Sequence, residues 1–196
     1  MQPRSHRFII EAALGLARAD AWIHPHAREL LAGSDDEDVY EVPFTKLRLP
    51  ALGLTHTYRP GKRTGELGAP SARTHLLYFV RRSEHELGRS DAPRAAWWLG
   101  RACHLLVDMA VPARTRGVWH LLGDPLESWV EQAVLANDDR LVASERAPAG
   151  NIGALADELA ALSSSFPADT TRGPLGLLRH KLLGRSIRID AAEAEA

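Results

Sequence analysis

The feature that most constrains the fold is an apolar run in the middle of the chain, "RAAWWLGRACHLLVDMA", residues 94–110. The preceding residues, Ser90-Asp91-Ala92-Pro93, resemble a helix cap followed by a first-turn proline. Pro112 follows it and predicts where the helix must stop. The run therefore predicts one long buried helix.

Apolar residues recur at helical spacing in several other segments, whereas strand-like alternation and internal repeats are missing. The pattern predicts an all-α protein with a single domain over residues 1–185 and a tail over 186–196. Further helices are expected as follows: from an N-cap at Ser5 through Leu16, from Pro25 to an end at Gly33, and over residues 69–87, 124–138, 151–165 and 173–189.

Composition excludes some classes of site and partner. The only cysteine is Cys103, so neither an intramolecular disulfide nor a Cys-based zinc site can form. The formal net charge of −1 gives no electrostatic footprint for nucleic acid. No apolar run is long enough to span a bilayer, and the N-terminus does not read as a secretory signal. A cytoplasmic protein is expected, or a secreted one if the sequence is a processed form.

His104 and Asp108 are the first candidates for chemistry. Their spacing of four places both side chains on one face of the apolar helix. A buried carboxylate needs a partner, and a metal ion would serve both groups. The alternative is a simple His–Asp hydrogen bond within a helical core, and the spacing alone does not decide between them.

Other candidates lie outside this helix. Residues 33–70 form a long segment rich in proline and glycine without helical periodicity, and such segments often carry function. The segment contains the acidic run Asp35–Asp38 and a lone histidine, His56. His6 falls in the first helix. His120 and Glu127 follow the long helix, although Glu127 also fits a capping box.

The order of these residues resembles that of the zinc-dependent phospholipase C family, which is related to single-strand-specific zinc nucleases. The resemblance covers residues 5–131. It is most specific in "LGRACHLLVDMAVPARTRGVWHLLGDPLESWV", and "SHRFIIEAAL" and "THTYRP" are similar to the family's first helix and histidine loop.

The resemblance implies an all-α bundle with a long irregular loop at a metal cleft, one to three zinc ions and hydrolysis of phosphodiester bonds. Asp38 is an alignment choice over Asp36, and it would either ligate metal or accept the proton of the attacking water. The implied ligands are Asp38, His56, His104 and Asp108 for one zinc, Asp108 and His6 for a second, and His120 and Glu127 for a third.

Two positions depart from the family pattern. The family's proline turn carries a histidine ligand where this chain has Arg114, and an arginine cannot replace it. Arg114 is expected instead to bind a phosphate oxygen, while the third site is weak or empty. The family's N-terminal tryptophan, which chelates zinc, is also missing. The amine of Met1 is the remaining candidate for that position.

The expected substrate is a phospholipid, and residues 176–188 could lie on a membrane surface. A nuclease is the alternative within the same chemistry, with Trp97, Trp98 and Trp119 as possible stacking groups for bases. Neutral net charge disfavours nucleic acid, however, and Trp97 and Trp98 suit the core. The alternative from another class is a catalytically degenerate helical domain that acts by binding.

Overall fold

The structure is a computed structural model that describes residues 3–18, 21–41, 48–50, 55–62, 64–65, 68–116, 132–133, 136 and 151–166. Helices dominate the described part. They are α1 (Pro3–Leu16), a short 3-10 helix (His24–His26), α2 (Ala27–Glu37), α3 (Ala72–Gly88), α4 (Ala92–Asp108), α5 (Pro112–Arg116) and α6 (Ile152–Ser165). Strands β1 (Val39–Glu41) and β2 (Arg48–Pro50) form a small antiparallel sheet that the sequence did not predict.

Helix α4 is the long apolar helix that the sequence predicted, with the expected ends. The Asp91 carboxylate accepts a hydrogen bond of 3.1 Å from the backbone N–H of Arg94. The helix ends at Asp108, and Pro112 begins the single turn of α5 after a short bend. Helices α2 and α3 both pack along α4, so α4 is the element that positions its neighbours.

Two apolar clusters flank α4. One lies between α3, α4 and α6 and includes Leu76, Leu105 and Ala156, all 1% exposed or less. The other lies between α1, α2 and α4 and includes Ile10 and Leu30. Through these contacts, segments that are distant in sequence pack on both sides of α4. The packing of α1 and α2 also brings their polar residues close to those of α4.

The prediction that the second helix ends at Gly33 is wrong, because α2 continues to Glu37. A β-carbon at Gly33 would lie 1.9 Å from the backbone oxygen of Trp97, and one at Gly100 would lie 1.9 Å from that of Leu30. Both glycines therefore allow close contact between α2 and α4. Gly33 has a packing role within α2 and does not end the helix.

Other boundaries also differ from the predictions. Helix α1 begins at Pro3, so Ser5 lies inside it and is not its cap. Helix α3 begins at Ala72, three residues later than expected, because the Ser71 hydroxyl caps it through the backbone N–H of Thr74. Most of the predicted helix over residues 124–138, and all of that over 173–189, lie outside the described residues, as does the tail.

None of the helices in the described part of the chain combines the length and apolar character needed to cross a bilayer.

Candidate metal centre

His104 and Asp108 lie side by side on the last turn and a half of α4, with side chains 2% and 0% exposed. The Nε2 atom of His104 is 3.6 Å from Asp108 Oδ2. The Nδ1–H of His104 donates to the backbone oxygen of Ser34 on α2 at 2.9 Å. This hydrogen bond fixes the ring and directs Nε2 toward the carboxylates.

Helix α1 contributes His6, which is 1% exposed. Its ring stacks on the ring of His104, with centroids 3.9 Å apart and an angle of 9° between planes. Its Nε2 atom lies 3.4 Å from Asp108 Oδ1. The two oxygens of Asp108 therefore face different histidines, with Oδ1 toward His6 and Oδ2 toward His104.

His56 comes from the segment between β2 and α3 and is 1% exposed. Its neighbours in sequence anchor it on three sides. The backbone oxygen of Thr57 accepts a hydrogen bond from the N–H of Ala72. The backbone N–H of Tyr58 donates to the backbone oxygen of Arg114, and the Tyr58 hydroxyl donates to the Asp157 carboxylate on α6. So held, His56 Nδ1 lies 2.7 Å from Asp108 Oδ2.

The acidic run forms the end of α2, and its residues have separate roles. The Asp36 carboxylate accepts a hydrogen bond from the indole N–H of Trp97 at 3.0 Å, outside the histidine cluster. Asp38, the C-cap residue, instead directs Oδ1 into the cluster, 3.5 Å from His104 Nε2 and 3.9 Å from His56 Nδ1. Between the two alternatives, Asp38 is the one that the fold brings to the other candidates.

The donor atoms form two overlapping groups, each with all its atoms within 4.8 Å of one another. One group is His6, His104 and Asp108, and the other is Asp38, His56 and His104. Imidazole nitrogen and carboxylate oxygen are donors that zinc prefers.

The separations fit a metal ion. Zinc–ligand bonds of about 2.0–2.2 Å put two ligands of a tetrahedral ion roughly 3.3 Å apart. The distances of 3.4, 3.5 and 3.6 Å from His6 or His104 to the carboxylates are close to that value and too long for good hydrogen bonds. Buried Nε2 of His104 has no hydrogen-bond partner among the described residues. Its Nδ1–H bond to a backbone oxygen is typical of a metal-ligating histidine.

The carboxylates, histidines and arginine of this cluster shift one another's pKa values. Burial by itself raises the pKa of Asp108, but the Arg114 guanidinium and the histidine rings lower it well below its ordinary value. Burial also raises the pKa of Asp38, and the His104 and His56 rings outweigh it to lower that pKa to about 2. Both carboxylates are therefore ionised at neutral pH. Burial lowers the pKa of His104, yet these carboxylates raise it overall.

Arg114, on α5, lies at the edge of the same cluster. Its Nε atom is 3.8 Å from Asp108 Oδ1, and the residue is 8% exposed. The guanidinium thus places a permanent positive charge beside the carboxylate that His6 also faces. The structure places Arg114 beside Asp108, and the role that the sequence analysis gave it toward a phosphate oxygen stays a prediction.

Glu37 and Arg101 belong to this region although the sequence did not single them out. Glu37 is 4% exposed, and its Oε2 accepts a hydrogen bond of 2.6 Å from Arg101 Nε. Its Oε1 lies 3.9 Å from His56 Nε2. Burial raises the pKa of Glu37 despite the opposing charge of Arg101. The signal in the sequence for Glu37 was the acidic run itself. Spacing alone could not tell which of its four adjacent acidic residues faces the histidines.

The predicted residues of the third zinc site, His120 and Glu127, lie outside the described residues, and so does Met1. The structure brings the five remaining candidate ligands into one cluster that is buried except at Asp38: His6, Asp38, His56, His104 and Asp108.

These observations define an all-α bundle with a buried cluster of histidines and carboxylates. No family model matches the sequence, and no curated protein matches it significantly. Among solved structures, alpha toxin from Clostridium absonum resembles the whole chain with a TM-score of 0.59 at 15% identity, and the match covers 61% of the toxin. Alpha toxin of Clostridium perfringens, from avian strain SWCP, gives a TM-score of 0.60 at 13% identity and 60% coverage of the toxin.

The chain therefore spans about 60% of the length of these toxins. At such low identity the similarity is one of fold, and it confirms the predicted all-α bundle.

Proposed function

We propose that this chain is a zinc-dependent phosphodiesterase of the phospholipase C type, acting on phospholipids. The observation that carries the proposal is the convergence of three histidines on two ionised carboxylates. His6 and His104 lie at separations close to those of zinc ligands, and His56 contacts the same Asp108. The sequence resemblance to the zinc-dependent phospholipase C family and the fold similarity to clostridial alpha toxins support it.

We assign the ligands as the sequence resemblance implied. Asp38, His56, His104 and Asp108 would hold one zinc ion, and Asp108 and His6 would hold a second. Asp38 either ligates the ion, as its Oδ1 atom 3.5 Å from His104 Nε2 suggests, or accepts the proton of the attacking water. A third ion at His120 and Glu127 stays a prediction.

The substrate approaches from the side of Asp38. The Asp38 side chain is 39% exposed, whereas those of His56 and Asp108 are 1% exposed or less. The other ligands are therefore sheltered from solvent, and the buried cluster excludes bulk water from the ions' inner side. Bound zinc polarises a phosphoryl oxygen and lowers the pKa of a coordinated water to roughly 7.

Arg114 binds the phosphate group in this proposal. Its guanidinium stays protonated at every relevant pH and offers several N–H donors to phosphate oxygens. Its Nε atom lies 3.8 Å from Asp108 Oδ1, so the guanidinium is beside the carboxylate at which a phosphate group would meet the proposed metal centre. The same charge balances Asp108.

Metal analysis after zinc loading, paired with hydrolysis assays, tests the proposal. We expect at least one zinc ion per chain, release of the phosphorylated head group from phosphatidylcholine vesicles, and loss of release with a chelator. Single-stranded DNA should be cut far more slowly. A folded protein that retains no zinc would contradict the metal centre, and faster cleavage of DNA would favour the nuclease alternative.

The ion pair of Arg114 with Asp108 favours a second candidate function, that of a helical domain that binds metal but does not hydrolyse phosphodiesters. Replacement of Arg114 by histidine separates the two. In a domain that lost its activity with this ligand, Arg114→His should add bound zinc and hydrolysis. If Arg114 binds phosphate, the substitution lowers hydrolysis, and Arg114→Lys retains part of it. Mass spectrometry of bound metal and the vesicle assay measure both.

A further inference from the structure

Two buried carboxylates flank the two ring nitrogens of His56. On one side Nδ1 lies 2.7 Å from Asp108 Oδ2, and on the other Nε2 lies 3.9 Å from Glu37 Oε1. The side chains of all three residues are 3% exposed or less. Nε2 of His56 has no hydrogen-bond partner among the described residues.

A neutral imidazole ring carries a single N–H, so it can donate to only one of the two carboxylates. The nitrogen without a proton then directs its lone pair at a negative charge, which is unfavourable in a buried place. A metal ion on Nδ1 removes this conflict, because the proton then resides on Nε2 and faces Glu37.

The short contact between His56 and Asp108 also favours an Nε2–H of His56 that faces Glu37. Ligands of one tetrahedral zinc ion lie roughly 3.3 Å apart, whereas Nδ1 and Oδ2 are only 2.7 Å apart. If both ligate the same ion, the ring and Asp108 must separate. Glu37 lies on the side opposite Asp108, so movement away from Asp108 brings Nε2 closer to the Glu37 carboxylate.

Arg101 keeps Glu37 in place for this contact. Its Nε donates to Oε2 of Glu37 at 2.6 Å, which leaves Oε1 directed at His56. The guanidinium lies over the rings of Phe79 and Trp97, at 4.5 and 5.0 Å from their centroids. These contacts fix Arg101 on α4, and Arg101 in turn fixes the carboxylate on α2.

We propose that Glu37 is a positioning residue of the metal centre. It accepts the Nε2–H of His56, holds the tautomer that presents Nδ1 to the metal ion, and does not itself ligate the ion. Carboxylate partners of this kind orient metal-binding histidines and raise their basicity. The inference rests on the metal centre of the proposed function but not on the reaction or the substrate.

The test uses the full-length chain and cobalt(II) alone as the probe, followed by its visible absorption. We expect Glu37→Gln to weaken cobalt binding by about 10–100-fold with unchanged stoichiometry. The matched control is Asp36→Asn, which removes the neighbouring carboxylate that pairs with Trp97, and it should bind cobalt like the unsubstituted chain. Equal affinity of the Glu37→Gln variant would refute the role of Glu37.

A second measurement needs no substitution. Nitrogen-15 NMR of histidine-labelled, zinc-loaded protein reports which ring nitrogen of His56 carries the proton, with the signal assigned by its loss in His56→Gln. We expect the proton on Nε2 and zinc on Nδ1, and the reverse arrangement would overturn the inference. Zinc binding without phospholipid hydrolysis would defeat the proposed reaction and leave this inference standing, whereas a chain that binds neither metal would defeat both.

Discussion

One face of α4 packs Ala102 and Leu105 against α3 and α6, and another directs His104 and Asp108 toward α1 and α2. Leu105 and Asp108 are both 0% exposed. Burial of the leucine side chain is favourable by about 1.5–3 kcal/mol without any partner. Burial of the carboxylate is unfavourable unless charges compensate for it.

The difference explains how this helix contributes both to stability and to a site. On the apolar face, contacts with any well-fitting hydrocarbon surface are sufficient. On the polar face, Asp108 requires Arg114, two histidines from other segments and His104 of its own helix, and these donors form groups that could hold a metal ion. Substitutions on the two faces should therefore have separable effects on stability and on metal binding.

The largest expected effect is on metal binding by the polar face. Asp108→Asn keeps the shape of the side chain but removes the charge that faces two groups of donors. Loss of a residue that only hydrogen-bonds a metal ligand lowers metal affinity by up to ~100-fold. Because Asp108 is itself a proposed ligand, we expect zinc affinity to fall by more than this and phospholipid hydrolysis to disappear. Titration calorimetry measures the affinity. Glu84→Gln, at an exposed position of α3, is the control, and similar affinities in the two variants would contradict the ligand assignment.

On the apolar face, Leu105→Ala should cost about 2–5 kcal/mol of unfolding free energy, because it leaves a cavity between α3, α4 and α6. The folded fraction should bind zinc with nearly normal affinity. Urea unfolding of the metal-free protein measures the loss. Leu162→Ala, on the 51% exposed position of α6, should change stability by less than about 0.5 kcal/mol. Equal losses would show that the apolar cluster is not the stabilising core.

Gly100→Ala should affect both stability and metal binding, because it pushes α2 away from α4. The added methyl group would lie 1.9 Å from the Leu30 backbone oxygen and 3.0 Å from the Ser34 backbone nitrogen. We expect a loss of about 1–3 kcal/mol and weaker zinc binding, since α2 also carries Asp38. Gly15→Ala is the matched control. It has nothing within 4 Å, so it should leave binding unchanged and stabilise α1 by up to about 1 kcal/mol. Unchanged zinc affinity in Gly100→Ala would show that close helix contact does not set the site.

The smallest expected effect is on stability and concerns Asp157, which accepts hydrogen bonds from Tyr58 and Arg73 and so anchors the segment that contains His56. Hydrogen bonds from Arg73 lower the pKa of Asp157 below its ordinary value of 3.8, against a smaller effect of burial. Because the folded-state pKa is depressed, this contribution is present above the unfolded value and is lost as pH falls below about 4. The pair is partly exposed, so about 0.2–1 kcal/mol is expected.

Urea unfolding of Asp157→Asn between pH 2 and pH 7 checks this last prediction. The variant should be less stable than the unsubstituted chain at pH 7, and the gap should narrow at pH 2–3. A constant gap across this range would mean that the Asp157 charge has no part in anchoring the His56 segment.

Local sequence signals predicted the helices well where apolar spacing, a capping side chain and a proline agree. For α4 the cap at Asp91 and the stop before Pro112 were both found. Gly33 misled the prediction because a glycine that ends a helix and one that allows close helix contact look alike in sequence. The difference depends on Trp97, more than sixty positions away.

By itself, the sequence determined that His104 and Asp108 share one face of a buried helix, because spacing of four has that consequence in any α-helix. Tertiary structure decided which acidic residue joins them. Asp36, Glu37 and Asp38 are adjacent in the chain, yet they face Trp97, Arg101 and the histidine cluster respectively. Those directions follow from how closely α2 packs on α4, and close packing depends on residues that no local pattern connects.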